Sequence, residues 1–228
     1  MATWIAAVRH PQKEDDLDGI HRGDTSLITE EGQKQARTLV TRALHMDIDA
    51  IISSDSPRTA LLATQVGKAI GRPVEVNPLF REWRVPSFME GRSTWTDLDV
   101  KEAKRLFRES FDRDVQHFDE ETKSQIETRT KEASEALIAY PAKRVLLVTH
   151  AKFICGLITQ TIWGNLDGFY RGPDRSIKLD NTGVTVFAYE PDRRDGSQRL
   201  VVKTVNDVSH YETEFYNGLL GILQPQHE

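Results

Sequence analysis

The sequence predicts an α/β protein of three layers, α/β/α, around a mostly parallel central sheet. Three observations carry that prediction. Two short apolar runs, Ile5-Ala6-Ala7-Val8-Arg9-His10 and Val145-Leu146-Leu147-Val148-Thr149-His150, read as strands buried on both faces, the habit of parallel sheets. Helical and strand-like segments alternate between them, the order that builds βαβ units. The C-terminal part changes pattern. Two strands, 184–189 and 200–205, are joined by the turn-rich Pro191-Asp192-Arg193-Arg194-Asp195-Gly196, a link short enough to require an antiparallel hairpin.

The first strand leads into a polar loop, 11–27, that carries Lys13, His21 and Arg22. Thr29 then offers an N-cap, and Glu30 and Glu31 place acidic groups where the helix dipole favours them. Ala36, Leu39, Val40, Ala43 and Leu44 follow at helical spacing, which predicts a helix over 30–45. Ala50-Ile51-Ile52-Ser53 is a second strand. The next helix has clear punctuation: Asp55 or Ser56 caps it, Pro57 suits its first turn, and Gly71 with Pro73 ends it. A third strand is expected at 74–76. From about 83 to 120 aromatic residues are scattered among charges, which predicts an insertion folded over the active-site end of the sheet, with a helix near 97–111. A polar helix over 120–139 precedes the His150 strand, and another over 152–163 follows it. No repeat, low-complexity segment or linker interrupts the pattern, so residues 1–228 are read as a single domain.

Composition narrows the partners. A chain that is 38% hydrophobic and 29% charged has globular composition, and 30 basic against 35 acidic residues give a formal net charge of −5. That balance argues against nucleic acid, which calls for a basic face. Cys155 is the only cysteine and is read as a small buried apolar residue, so no internal disulfide is expected. No signal-peptide pattern is evident at the N-terminus. No apolar stretch approaches the roughly 20 residues of a membrane span. The expectation is a cytoplasmic protein with no membrane partner. Oligomeric state stays open, a homodimer included.

The candidate chemistry sits at predicted strand ends. In an open α/β sheet the carboxyl ends of parallel strands meet at one crevice. A neutral imidazole at His10 is a competent nucleophile towards phosphorus, and Arg9 beside it favours the neutral ring and binds anionic oxygens in a fork. Arg58, in Ser53-Ser54-Asp55-Ser56-Pro57-Arg58-Thr59-Ala60, lies in a first helical turn, where free N–H groups already favour an anion. His150 repeats the strand-to-helix position as a hydrogen-bond donor for a transferring group. Glu82, between Phe80 and Trp83, is expected in an apolar wall that raises its pKa and suits it to protonate a leaving oxygen. Each of these residues taken singly also has a structural reading: a strand-end histidine, a capped helix, a surface glutamate.

In this order the segments resemble the histidine phosphatase superfamily, branch 1, the phosphoglycerate-mutase-like proteins. The resemblance covers about residues 4–190. It rests on Val8-Arg9-His10, Ile28-Thr29-Glu30-Glu31-Gly32-Gln33-Lys34-Gln35-Ala36, the 53–64 segment, Leu79-Phe80-Arg81-Glu82, the strand ending at His150, and Asn181-Thr182-Gly183-Val184-Thr185-Val186-Phe187. It implies a phosphomonoester hydrolase of phosphatase type acting on a small phosphorylated metabolite, with no metal or other cofactor. His10 would accept the phosphoryl group, Arg9, Arg58 and His150 would form the phosphate pocket, and Glu82 would be the general acid and base.

Departures from the family pattern are specific. Pro11 replaces the usual glycine after the first histidine, which removes a backbone N–H. Ala151-Lys152 replaces the small residues after the second, and the asparagine that mutases place near the pocket is not found after the first motif. Lys13, Arg22 and Lys152 are the substrate-binding candidates beyond the pocket, with Arg81, Arg84 and Arg92 as further cations in reach. Three other readings remain: a phosphoglycerate-mutase-like phosphotransferase, a weakened phospho-ligand binding module, and a metal-dependent hydrolase using His10, His150 and Glu82.

Overall fold

The computed structural model describes residues 4–171, 177–192, 194–196 and 198–211. Arg193 of the predicted hairpin turn lies outside them. Six strands form one sheet: β1 (Trp4–Arg9), β2 (Ala50–Ser53), β3 (Val74–Val76), β4 (Arg144–Thr149), β5 (Val184–Pro191) and β6 (Gln198–Asp207). Their spatial order is β3-β2-β4-β1-β5-β6. The four on the β3 side run parallel, with Ile5 beside Val145 and Ile51 beside Leu146, whereas β5 is antiparallel to both β1 and β6. The mostly parallel sheet and the C-terminal hairpin therefore stand as predicted.

Alternation along the strands sorts side chains into two cores. Val8, Ile51, Leu146 and Val148 pack on one face with Leu39 and Ala43 of α2 (Glu30–Ala43) and Leu62 and Val66 of α3 (Pro57–Ile70). Ile5, Ala7, Ile52, Val145 and Leu147 face the other layer. That layer includes α5 (Lys123–Ala139) and α6 (Ala151–Trp163), with Phe107 of α4 (Leu98–Ser110) in the same core. Thr29 caps α2 as predicted, its hydroxyl accepting from the Gly32 N–H at 3.0 Å. The polar loop after β1 holds an unpredicted single turn, α1 (Asp15–Asp18), closed by Gly19 in the left-handed region.

One detail of register positions the site. β1 and β4 end at Arg9 and Thr149, one residue earlier than the apolar runs imply. His10 and His150 are thus the first residues past two adjacent strands. The His10 N–H donates to the Thr149 carbonyl at 3.0 Å, which holds the two histidines side by side.

Candidate active site

His10 and His150 are buried at the carboxyl end of the sheet, their ring centroids 5.4 Å apart and edge-on. The tautomer of each follows from its partners. His10 Nδ1 lies 2.7 Å from the Pro11 carbonyl oxygen, which can only accept, so Nδ1 carries the proton and Nε2 keeps its lone pair. His150 is the reverse case. Its Nδ1 lies 3.2 Å from Arg58 Nη2, which can only donate, so the neutral ring carries its proton on Nε2 and gives it to Ser54 Oγ at 2.8 Å. Ser54 Oγ is in turn 2.7 Å from Thr59 Oγ1, which donates to the Ser56 carbonyl at 2.8 Å. Both imidazoles titrate well below an ordinary histidine, chiefly through burial. Nearby basic groups push the same way: His150, whose ring could not share a second positive charge, with Arg9 and Arg58 for His10, and Arg58, Lys13, Arg129 and Arg9 for His150.

The two arginines are braced by the loops around them. Arg9 donates through Nη1 to the Leu179 carbonyl at 2.7 Å, and Arg58 through Nη1 to the Gly23 carbonyl and the Asp24 carboxylate at 3.1 and 3.2 Å. The Nε–H of each is buried without an acceptor among the described residues, a deficit that a bound anion would remove.

Glu82 closes the floor on its remaining side. The carboxylate accepts three backbone N–H bonds: Trp83 and Phe153 on Oε1, both at 3.0 Å, and Lys152 on Oε2 at 3.1 Å. The latter two donors belong to the first turn of α6, so Glu82 occupies the anion position at that helix start. Its segment is held from behind. Thr149 Oγ1 donates to the Phe80 carbonyl at 2.7 Å, and Arg129 donates to the Arg81 carbonyl at 2.8 Å. Phe80 and Trp83 are turned into the core, where Trp83 stacks on Phe111. The sequence predicted an apolar wall around this carboxyl group; converging amides hold it instead.

These groups line one cleft of about 570 Å³, whose walls come from residues 13–25, 55–58 and the 83–90 part of the insertion. Such a combination of strand ends and positions is specific enough to compare with known families. A family model described as histidine phosphatase superfamily (branch 1) matches residues 5–200. The chain belongs to that family.

Among relatives of this chain are proteins named probable phosphoglycerate mutase GpmB. That of Escherichia fergusonii is 27% identical over 91% of this chain and 94% of its own, and that of Cronobacter sakazakii is 28% identical over the same shares. Similar solved folds include Bacillus stearothermophilus YhfR, with TM-score 0.74, 22% identity, and coverage of 92% of this chain and 99% of that one. A mycobacterial glucosyl-3-phosphoglycerate phosphatase with bound VO3 has TM-score 0.72 at 20% identity, covering 90% and 99%.

The fold brings Arg9, His10, Arg58, Glu82 and His150 to one floor, with Lys13 and Lys152 in the cleft wall. Arg22 is not among the lining residues; its guanidinium pairs with the Asp18 carboxylate, four residues back along the chain. Arg81 and Arg84 line the mouth, while Arg92 is held by Asp97 and Asp99 on the insertion. Trp95 covers Gly19 rather than facing the cleft. Sequence reasoning passed over Ser54 and Thr59 as holders of His150, and Asp24 as the partner of Arg58. It also passed over Asn181, whose amide donates to the His10 carbonyl at 3.2 Å. The Ser53-Ser54 pair sat inside a quoted motif, but its contact with a ring 96 positions away had no local signal. Among the described residues no group of three or more histidine, cysteine or acidic side chains is arranged to hold a metal ion, and no helix is long and apolar enough to cross a membrane.

Proposed function

We propose that this protein is a metal-independent phosphomonoester hydrolase that works through a phosphohistidine at His10 on a small phosphorylated metabolite. The observation that carries this reading is the tautomer of His10. With Nδ1–H committed to the Pro11 carbonyl, Nε2 is an unprotonated nucleophile beside the two arginines and His150. Pro11 removes one N–H from the turn, yet its carbonyl supplies the contact that orients the ring.

In the first step His10 Nε2 bonds to phosphorus as the bond to the ester oxygen breaks. That oxygen takes a proton from Glu82 in its carboxylic acid form, carried on Oε2, the oxygen with a single N–H donor. Arg9 and Arg58 balance charge on the equatorial oxygens. In the second step water attacks phosphorus, Glu82 takes its proton, and phosphate departs from Nε2. His150 receives a hydrogen bond from Arg58, so part of its role is to aim that guanidinium. A phosphate dianion between them supplies the negative charge that favours a proton on Nδ1, which turns the same nitrogen into a donor.

The mutase names of the relatives support a second reading, phosphoryl return to another substrate hydroxyl instead of to water. One experiment addresses both. The wild type is incubated with an aryl phosphate, with and without chelator and with and without an added acceptor alcohol. We expect phosphate release that chelation leaves intact and that falls by at least about 10³-fold in His10→Ala. Hydrolysis that survives the substitution, or that needs a divalent metal, overturns the reading. Transfer to the alcohol in preference to water favours the mutase.

A further inference from the structure

Gln12, two places past the nucleophile, is held on three sides by the start of α2. The Thr29 N–H donates to the Gln12 carbonyl at 3.1 Å, and Thr29 Oγ1 donates to Gln12 Oε1 at 2.8 Å. The Gln12 N–H donates to Gln35 Oε1 at 3.0 Å. A backbone N–H only donates, so the Gln35 atom that faces it is the amide oxygen. Gly32 lets the helix come this close: a Cβ there would meet the Gln12 carbonyl oxygen at 2.2 Å. Thr29, Gly32 and Gln35 recur at intervals of three, which places them along one side of the helix start, against one residue of the neighbouring loop.

That grip reaches the imidazole through a single peptide unit. The Gln12 N–H and the Pro11 carbonyl belong to one planar trans peptide and point in opposite directions. Whatever fixes the direction of the N–H therefore fixes the carbonyl that accepts from His10 Nδ1 at 2.7 Å. On the other side of Pro11 the chain is already set. The His10 N–H donates to the Thr149 carbonyl at 3.0 Å, and the His10 carbonyl accepts from Asn181 Nδ2 at 3.2 Å. The proline ring locks its own φ near about −65°. A glycine at this position would leave φ free as well. What remains is rotation about ψ of Pro11, and the Gln35 oxygen removes it. The same contact polarises the peptide, because an N–H that donates makes its carbonyl partner a better acceptor.

We infer that Gln35 is a positioning residue for the nucleophile: it holds the Pro11–Gln12 peptide in the plane that keeps the His10 proton on Nδ1 and Nε2 open to phosphorus. This deepens the phosphatase reading above and rests on it.

Gln35→Met keeps the reach and bulk of the side chain and removes the acceptor. With an aryl phosphate, kcat should fall about 10- to 100-fold with KM changed by less than about threefold, the range for losing the partner that orients an imidazole. Gln35→Glu still accepts and should restore most of kcat. Gln33→Met, on the exposed side of the same helix, should leave it unchanged. Ring-nitrogen NMR shifts read the tautomer directly. Wild type and Gln35→Glu should show a protonated Nδ1 and an unprotonated Nε2 on His10, and Gln35→Met a mixture of the two tautomers. Should Gln35→Met not fold, Gln35→Asn, one methylene short of the Gln12 N–H, takes its place in both measurements. Unchanged kcat in that variant, a loss that Gln35→Glu shares, or a loss with the His10 tautomer unmoved overturns the inference. The tautomer comparison needs no substrate. A wild type that hydrolyses nothing therefore defeats the phosphatase reading, while the ring still reports whether Gln35 sets its proton.

Discussion

The floor of the cleft and its wall are built on opposite plans. On the floor, Nδ1 of His10, both ring nitrogens of His150 and the carboxylate oxygens of Glu82 are committed to partners fixed at strand ends and helix starts. Reactive groups held this way cost little reorganisation when substrate arrives. In the wall, cations sit on loops and in the first turn of α6, several half-exposed, and Arg84 makes no side-chain ion pair within the described residues. On the proposed reading, the contrast places chemistry at the sheet and contact with the rest of the substrate on the loops around it.

Substitutions should separate the two plans. The largest effect is expected for Arg58→Met on the floor, a fall in kcat of about 10²–10³-fold, the worth of one oriented donor to a transferring group. Arg84→Ala in the wall should change kcat by less than about threefold, in keeping with an exposed charge. Equal losses in steady-state assays would erase the distinction.

Ser54→Ala sharpens it next. It removes the acceptor of His150 Nε2–H without touching the cleft, and leaving that buried donor unpaired costs about 1–3 kcal/mol. Thermal unfolding should show the loss of stability, and kcat should fall more than KM rises because the ring then aims Arg58 less well. Unchanged kcat would mean that the Arg58 orientation does not depend on His150.

A smaller, graded effect concerns pH. Because His10 and His150 titrate well below the ordinary value of 6.5, the acid limb of kcat/KM should lie below pH 6.5. The sign for stability follows. Between pH 6.5 and the depressed native values the unfolded chain binds protons that the buried rings refuse, so stability declines as pH falls through that window. An acid limb at or above 6.5, or a flat unfolding midpoint from pH 6.5 to 5, would show the rings to be solvated.

Much of the floor was legible in the sequence because strand ends carry it. Val8-Arg9-His10 and Val148-Thr149-His150 announce their positions through the apolar runs before them, and Pro57 marks the helix start that presents Arg58. The wall was legible only in outline. The 83–120 insertion was expected over the site, and its helix falls at Leu98–Ser110 against the 97–111 predicted. Which of its charges face inward was not. Arg84 and Glu90 line the cleft while Arg92 is held by Asp97 and Asp99, a division with no local signal. Arg22 shows the converse: it was read as a ligand for substrate because it is basic and in the right loop, yet an unpredicted turn at Asp15–Asp18 brings Asp18 against it.

What the sequence determined by itself was local: which segments are strands, where they stop, and which reactive side chain follows each stop. Hydrophobic period and helix punctuation act over a few residues and survive without knowledge of the whole. The tertiary structure alone decided the proton positions on the two imidazoles, the donors around Glu82 and which cations line the cleft. Those depend on which distant groups share a buried, low-dielectric space, where a single donor or acceptor fixes the state of its neighbour.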